Sequence, residues 1–376
     1  MKLSKKVVAL LLCITMIFTL AACGNESSDE GTKTESSNSD FKVGVIHIGD
    51  PATQIGYTYA HDQGIVEMQK ALGLSDSQIV RKNNVADGDA AAVKTAIQEC
   101  IEDGCKLIFG TSWGYMDTME EMAKENPDVV FSHATGYKSN GTNFNNYFGR
   151  IYQARYLTGI AAGMKTKTNK IGYVAAMDSS NSEVTGGINA FALGVQSVNK
   201  DAKVYVKVTN TWDDTTLESQ AAEALLDIDC DVIAQHQDSA AAQLAAEKRG
   251  VWGCGYNSDM TKDAPKAHLT AAIWNWGVYY TETAKAVMEG TWKCENYYGG
   301  MKEGLVDISP LSDNCAEGTK EAIEKAKEEI LSGKNKIFEG ELKDNKGNVV
   351  CKKGEVISDA DITGNMTWYY ENVVSE

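Results

Sequence analysis

The chain has 376 residues, of which 43% are hydrophobic and 23% charged, and its formal net charge is −16 at pH 7. A folded region of this length is larger than one hydrophobic core usually holds, so we expect two lobes. The acidic balance disfavours nucleic acids and anionic lipid headgroups as partners, because a negative surface repels both.

The N-terminus predicts export. Three lysines precede an apolar run from Val7 to Thr19, which is too short for a membrane span, and small residues follow it. This is the pattern of a secretory signal peptide, residues 1–22. Cys23 after Leu-Ala-Ala resembles the bacterial lipobox, whose cysteine becomes the lipidated N-terminus; the alternative is a plain secretory signal.

Residues 23–40 form a polar stretch rich in Ser, Glu, Thr, Asn and Asp. Such a sequence buries too little apolar surface to fold, so we expect a flexible tether. Together, signal, cysteine and tether predict an extracytoplasmic protein that the lipid alone holds at the cell membrane.

From residue 41 onward, strand-like runs alternate with segments of helical spacing, and the alternation occurs twice. The predicted strands of the first series are Lys42–Ile48, Gln78–Asn83, Lys106–Gly110 and Val129–His133. Those of the second series are Lys170–Ala176, Lys203–Thr209, Asp231–Gln235 and Val251–Tyr256. The helical segments are Tyr57–Leu72, Ala90–Glu102, Met116–Lys124, Ala154–Met164, Gly187–Val198, Leu217–Ile228 and Ala240–Lys248.

Strands that alternate with helices of this length predict doubly wound parallel sheets, and two series predict two α/β lobes. We expect residues 41–148 and 277–308 in the first lobe and residues 149–276 in the second. Three crossovers would form the hinge, near residues 146–152, near 274–277 and after Asp307. A charged helix from Glu317 to Ser332 begins a C-terminal segment, residues 309–376, that we expect to brace the lobes.

Ligands of doubly wound sheets bind at the carboxyl ends of the strands, so the residues at those ends are the candidate site. Aromatic faces and amide, carboxylate and imidazole edges are concentrated there, which suits a flat polar heterocycle or a sugar. The candidate ligand-binding residues are Gln54, Tyr57, Trp113, Asp117, Met177, Trp212, His236, Asp238, Asn257, Trp274 and Asn275.

The sequence lacks several common enzyme motifs. It contains no phosphate-binding glycine loop and no HExxH, and its five histidines lack metal-ligand spacing. We therefore predict no catalytic residue, metal or cofactor. Seven cysteines follow Cys23 at scattered positions, which is not a disulfide framework, although a pair between Cys294 and Cys315 stays open.

Seven segments of the chain resemble the basic membrane lipoprotein (BMP) family, which is related to the PnrA purine-nucleoside receptors. They are GYTYAHDQG (Gly56–Gly64), TSWGYMD (Thr111–Asp117), HATGYK (His133–Lys138), TKTNKIGYVAAM (Thr166–Met177), GINAFALGVQSVN (Gly187–Asn199), IAQHQDS (Ile233–Ser239) and KAHLTAAIWNWG (Lys266–Gly277). The resemblance covers residues 41 to 310. It implies a type I periplasmic-binding-protein fold and a monomeric receptor that delivers a purine nucleoside or purine base to the permease of an ABC importer.

The resemblance also implies roles for single residues. Tyr57 and Trp212 match the two aromatics that stack on the base in the nucleoside receptors. His236 and Asp238 are then candidates to bind the edges of the base, and their alternative is a pair of solvated loop residues.

Three departures from the receptor pattern bear on the ligand. Residues 54–58 read Gln-Ile-Gly-Tyr-Thr in place of the Asp-Lys-Ser-Phe-Asn type motif. Asn257 replaces an aspartate and Trp274 a lysine that hold the ribose. Because unmatched ribose hydroxyls cost about 1–3 kcal/mol each, the resemblance implies a purine base, such as adenine, rather than a nucleoside.

Two other function classes stay open. Aromatic platforms beside Asp, Asn and Arg150 or Arg155 also suit a sugar, and a receptor for a sugar or signal molecule could serve a transporter or a sensory kinase. A catalytic Ser–His–Asp set assembled only in space is the enzymatic alternative, which export and a two-lobed cleft disfavour.

Overall fold

The computed structural model describes residues 40–375 of the chain. The predicted signal peptide, Cys23 and the tether up to residue 39 lie outside these residues. Within residues 40–375, no helix combines the length and the hydrophobicity needed to cross a bilayer.

The first lobe is built on a six-stranded parallel sheet. Its strands are β1 (Val43–Ile46), β2 (Ile79–Lys82), β3 (Leu107–Gly110), β4 (Val130–Ala134), β5 (Phe144–Gly149) and β11 (Tyr297–Gly299), in the spatial order β11-β5-β4-β3-β1-β2. Its helices are α1 (Gly56–Leu72), α2 (Ala90–Glu102), α3 (Met116–Glu125) and α8 (Trp276–Met288). All residues of β1 and β3 are buried, as expected of parallel strands covered by helices.

The second lobe is built on a seven-stranded sheet. Its strands are β6 (Lys170–Ala175), β7 (Lys203–Val208), β8 (Val232–His236), β9 (Trp252–Asn257), β10 (His268–Trp274), β12 (Val306–Ile308) and β15 (Val373–Ser375), in the order β12-β10-β9-β8-β6-β7-β15. Its helices are α4 (Ile151–Lys165), α5 (Ser182–Val198), α6 (Thr215–Asp227), α7 (Ala241–Lys248) and α9 (Thr319–Leu331). Only β12 runs antiparallel to its neighbour among the described strands of this sheet.

The C-terminal segment returns to the second lobe. A short hairpin of β13 (Leu342–Lys343) and β14 (Val349–Cys351) leads to α10 (Asp359–Gly364), and the chain ends beside β7 as β15. The two successive series of parallel strands confirm the predicted fold class, and α9 confirms the predicted charged helix.

The third crossover differs from the prediction. Residues 277–308 were expected in the first lobe, but β12 pairs with β10 of the second sheet, with Ile308 opposite Ala272. The chain therefore changes lobes between β11 and β12, before Asp307. Strands this short carry no clear alternation of polar and apolar residues, so their sheet depends on pairing partners distant in sequence.

The seven described cysteines are free. Cys294 lies with its Sγ 3.1 Å from the carbonyl oxygen of Phe144, and Cys315 with its Sγ 3.5 Å from that of Leu269. The pairing of Cys294 with Cys315 that the sequence left open is therefore not formed in this structure.

Close packing of α4 on α5 depends on glycine, which gives a first prediction. A Cβ at Gly159 would overlap the backbone carbonyl of Phe191. Because backbone yields little, we expect Gly159→Ala to lower the free energy of unfolding by about 1–3 kcal/mol, measured by urea denaturation. Gly364 in α10 has open space around its Cβ position. Gly364→Ala is the control, and equal effects of the two variants would contradict the packing argument.

Candidate functional site

The two lobes touch at the carboxyl edges of their sheets. Gly56, at the start of α1 in the first lobe, has φ +81°, and a Cβ there would overlap the backbone carbonyl of Asp238, which follows β8 in the second lobe. Only glycine combines this left-handed conformation with so close an approach. The contact brings the ends of both sheets around a single cleft.

Tyr57, the next residue, lies in this cleft. Its hydroxyl is buried without a hydrogen-bond partner among the described residues, and burial raises the pKa of Tyr57 well above its usual value. Its ring packs edge-on to His61 at 4.4 Å between centroids. The carboxyl groups of Glu183 and Asp238 raise the same pKa further, so residues of both lobes surround this side chain.

A column of stacked rings supports Tyr57 from behind. His61 stacks on Trp276 at 4.4 Å, and Trp276 stacks on Trp274 at 4.4 Å, with interplanar angles of 13° and 14°. His61 Nδ1 also lies 2.5 Å from the hydroxyl of Tyr280. The column, which we call the hinge stack (His61, Trp276, Trp274), joins α1 to the crossover between β10 and α8.

Two predicted site residues therefore belong to the hinge. Trp274 is buried in the hinge stack and also packs on Phe148 at 5.0 Å between ring centroids. Asn275 donates from Nδ2 to the carbonyl of Gly304 at 3.0 Å, and from its backbone N–H to that of Leu305 at 2.7 Å. Asn275 thus ties the second crossover to the third.

His236 lies at the end of β8, on the floor of the cleft. Its ring packs edge-on to Trp212 at 5.8 Å and to Tyr256 at 4.7 Å. Burial lowers the pKa of His236 well below its usual value, so the imidazole is neutral near pH 7. Its Nε2 has no hydrogen-bond partner among the described residues and lies 3.6 Å from Glu183 Oε1.

Asp238 and Asn257 are joined in the cleft. Asn257 Nδ2 donates to Asp238 Oδ1 at 2.8 Å, and the Asp238 backbone N–H donates to the carbonyl of Trp212 at 2.9 Å. Asn257 has φ +68°, a conformation that asparagine tolerates better than most residues. Burial raises the pKa of Asp238 to about 8.

Glu183 is the acidic residue that the sequence reasoning missed. Helix α5 begins five residues before the predicted start, because the Asn181 side chain caps it by accepting from the N–H of Val184 at 3.0 Å. Glu183 therefore stands in the first turn of α5. Its side chain keeps 28% exposure, yet burial raises its pKa to about 7, as expected of a group inside a narrow cleft. The asparagine followed by an acidic residue was the signal that could have found it.

Arg155 of α4 lies behind His236, within the second lobe. It donates from Nη1 to the carbonyl of Gln235, and its Cζ lies 3.8 Å from the ring centroid of Tyr256. Its positive charge contributes to the lowered pKa of His236 after burial, and it opposes the rise of the Glu183 pKa. Arg155 therefore helps to keep the imidazole neutral.

Four other predicted residues make no hydrogen bond or ring contact with this group among the described residues. Trp113 is 55% exposed and packs on Tyr137, and the side chain of Asp117, which is 81% exposed, pairs with Lys138 Nζ at 2.7 Å. Gln54 is exposed at the end of a single 3₁₀ turn, and Met177 is half-buried after β6. No contact joins these four side chains to Asp238 or Asn257 among the hydrogen bonds and ring contacts of the described residues.

Together the cleft residues define what the site can bind. Tyr57 Oη, His236 Nε2 and Asn257 Oδ1 are buried and unpaired, and an unpaired buried polar group costs about 1–3 kcal/mol. A ligand with hydrogen-bonding edges would satisfy them. Within residues 40–375, no group of three His, Cys, Asp or Glu side chains is arranged to hold a metal ion.

Two α/β lobes, three crossovers and a polar cleft between the sheet edges are the features of the type I periplasmic-binding-protein fold. A solute-binding protein of an ABC transporter from Aeropyrum pernix superposes with a TM-score of 0.66 at 17% identity, over 81% of this chain and 93% of that chain. One from Conexibacter woesei gives 0.64 at 18% identity, over 78% and 97%. These likenesses show the fold.

Residues 41–345 match the sequence model of the Bmp family, the PnrA-like ABC transporter substrate-binding proteins. The chain belongs to this family, as the motifs predicted. The family is one of transport receptors rather than of enzymes.

Three curated relatives carry names that state a ligand. The purine-binding protein of Brucella abortus is 44% identical over 76% of this chain and 79% of its own length. A putative ABC transporter glucose-binding protein of Haloferax volcanii is 38% identical over 79% and 73%. The ABC transporter nucleoside-binding protein of Lactococcus lactis is 23% identical over 86% and 96%.

The raised pKa of Asp238 gives a second prediction. The folded protein holds a proton on Asp238 up to about pH 8, whereas the unfolded chain loses it near its ordinary value of 3.8. The resulting stability is fully present below about pH 4 and is lost as the pH rises through 8. We expect the fall in urea midpoint between pH 5 and pH 8.5 to be smaller in Asp238→Asn than in the wild type. The exposed Asp201→Asn variant is the control, and an unchanged fall in Asp238→Asn would contradict the assignment.

Proposed function

We propose that this protein is an extracytoplasmic lipoprotein that captures a purine base between its lobes and delivers it to the permease of an ABC importer. The family supports the transport role, and the purine-binding relative at 44% identity supports the ligand class. The observation that carries the proposal is the set of buried, unpaired polar atoms beside aromatic rings in the interlobe cleft.

A purine has two π faces and an edge of hydrogen-bond donors and acceptors. In the proposed complex, Tyr57 of the first lobe and Trp212 of the second cover the two faces, and offset stacking contributes about 0.5–1.5 kcal/mol for each pair beyond burial. Neutral His236 offers one ring nitrogen as donor or acceptor. At neutral pH the protonated Asp238 carboxyl group donates its O–H to a ring nitrogen of the base, and Asn257 Oδ1 accepts an N–H group.

The preference for a base over a nucleoside has a physical reason in the same cleft. Asn257 gives one N–H to Asp238, so it offers a ribose one amide oxygen and one N–H in place of the two acceptor oxygens of an aspartate carboxylate. Trp274, which replaces the sugar-binding lysine of the resembling receptors, is held in the hinge stack and supplies no ammonium. Ribose hydroxyls would therefore be buried with too few partners.

Binding couples to closure in this proposal. Tyr57 and Trp212 belong to different lobes, so a ligand touches both rings only when the lobes are together. The ligand therefore shifts the population toward the closed arrangement, which presents a composite surface to the permease.

A sugar is the second candidate, favoured by the Haloferax volcanii relative at 38% identity, whose name states glucose. The arginines divide on this point. Arg150 is engaged by Asp359. Arg155 lies behind His236 with its guanidinium against Tyr256, but its Nε and Nη2 have no hydrogen-bond partner among the described residues, so they could donate to a sugar hydroxyl.

The ligand assignment is tested with the mature protein, unfolded and refolded to remove bound solute. We expect titration calorimetry to show adenine binding and a weaker response to adenosine and to glucose. Trp212→Ala should weaken adenine binding about tenfold, since it removes one stacking face and its burial. Trp292→Ala, which removes a half-buried tryptophan that follows α8, should leave it unchanged. Tighter binding of adenosine would reject the base, and glucose binding alone would reject the purine.

Lipid anchoring at Cys23 is a separate prediction. We expect the full-length chain to fractionate with membranes of the expressing bacterium and Cys23→Ser to be released into the soluble fraction, because no helix within residues 40–375 could hold the chain in a bilayer. Immunoblots of the two fractions measure this. Equal membrane association of both forms would overturn it, and Cys13→Ser within the predicted signal is the matched control.

A further inference from the structure

Arg150 is a junction of three chain segments. It stands at the first crossover, between β5 and α4, and its backbone N–H donates to the carbonyl of Gly299 at 2.6 Å. Its Nη1 donates to the carbonyl of Tyr298 in β11 at 2.5 Å and lies 3.8 Å from Glu303 Oε2, in the third crossover. The guanidinium also lies over the ring of Tyr298, 5.0 Å from its centroid.

The third segment is the C-terminal α10. Arg150 Nε and Nη2 donate to Asp359 Oδ2 at 3.0 and 2.7 Å, and Tyr152 donates to Asp359 Oδ1 at 3.2 Å. A guanidinium that donates twice to one carboxylate fixes both distance and direction. The pair therefore ties the first crossover to α10.

The other side of this segment lies against α5, the helix that carries Glu183. Ile362 and Met366 pack at Gly186, with Ile362 Cγ2 3.2 Å from the Cβ position of that glycine. Asn189 Nδ2 donates to the carbonyl of Trp368 at 2.8 Å, and the N–H of Tyr370 donates to Asn189 Oδ1 at 2.8 Å. The segment is thus fixed to the cleft-facing helix of the second lobe.

We infer that residues 358–366, which we call the hinge latch, set the balance between open and closed lobes by tying the hinge residue Arg150 to α5. Asp359 and Arg150 are positioning residues, because they act on the ligand only through the lobe angle at the crossovers. The family match ends at residue 345, so the hinge latch lies beyond the matched part of the chain. This inference rests on the proposed capture of a ligand by closure.

The hinge latch also explains why the C-terminal segment lies where it does. A C-terminal segment that served only to cover apolar surface would not need to place a charged side chain at the crossovers. Here a carboxylate from the first turn of α10 reaches Arg150, which stands at the first crossover and lies near Glu303 of the third. Hydrogen bonds to a charged group are roughly twice as strong as neutral ones, so this contact favours a single hinge geometry.

The test compares two neighbouring aspartates of α10. Asp359→Asn removes the carboxylate charge that pairs with Arg150. Asp361→Asn alters an exposed residue whose side chain bonds only within its own turn, to Ser358 and Asn365. Hydrogen–deuterium exchange on ligand-free mature protein is measured first. We expect Asp359→Asn to speed exchange at residues 182–187 and 298–303, and Asp361→Asn to leave both unchanged. Asp359→Glu, which keeps the carboxylate, should restore slow exchange.

Adenine dissociation is measured second, by stopped flow of the intrinsic tryptophan fluorescence. We expect about fivefold faster dissociation for Asp359→Asn with little change in the association rate, because the ligand contacts are intact and closure is less favourable. Identical exchange in Asp359→Asn and Asp361→Asn would overturn the hinge latch. If the wild type fails to bind adenine, the purine proposal fails, while the exchange result still decides for or against the hinge latch.

Discussion

The hinge stack of His61, Trp276 and Trp274 is the contact on which the arrangement of the cleft depends. It joins a helix of the first lobe to the crossover that leaves the second, and it fills the space behind Tyr57 with flat rings at 4.4 Å. Stacked aromatics of this kind bury large areas and have few alternative packings. The stack therefore fixes where the Tyr57 ring stands.

With Tyr57 held in place by the hinge stack, the protonation states of the other cleft residues are set by their removal from water. Burial keeps His236 neutral and raises the pKa values of Glu183 and Asp238 to about 7 and about 8. A site of neutral or protonated groups favours an uncharged ligand with many hydrogen-bonding atoms over a strongly charged one. A purine base has this character, and binding would satisfy groups that are unpaired without it.

The C-terminal segment contacts the hinge. Residues 346–375 lie beyond the family match, yet they supply a strand to the second sheet and a carboxylate to Arg150. Binding proteins of one fold can therefore have the same ligand-binding residues and differ in the stability of the closed arrangement of their lobes. The affinity for the ligand and the rate at which it exchanges then change without any change in the residues that touch it.

The sequence by itself determined the two α/β series, the cleft at the strand ends and the family, because parallel strands buried on both faces and the motifs between them are local patterns. It also placed Tyr57, Trp212, His236, Asp238 and Asn257 at those ends. Only the tertiary structure decided the rest. Glu183 depended on where Asn181 caps a helix, and Trp274 and Asn275 became hinge residues through partners far along the chain. The pairing of β12 with β10, and of Asp359 with Arg150, likewise joins residues that no local pattern relates.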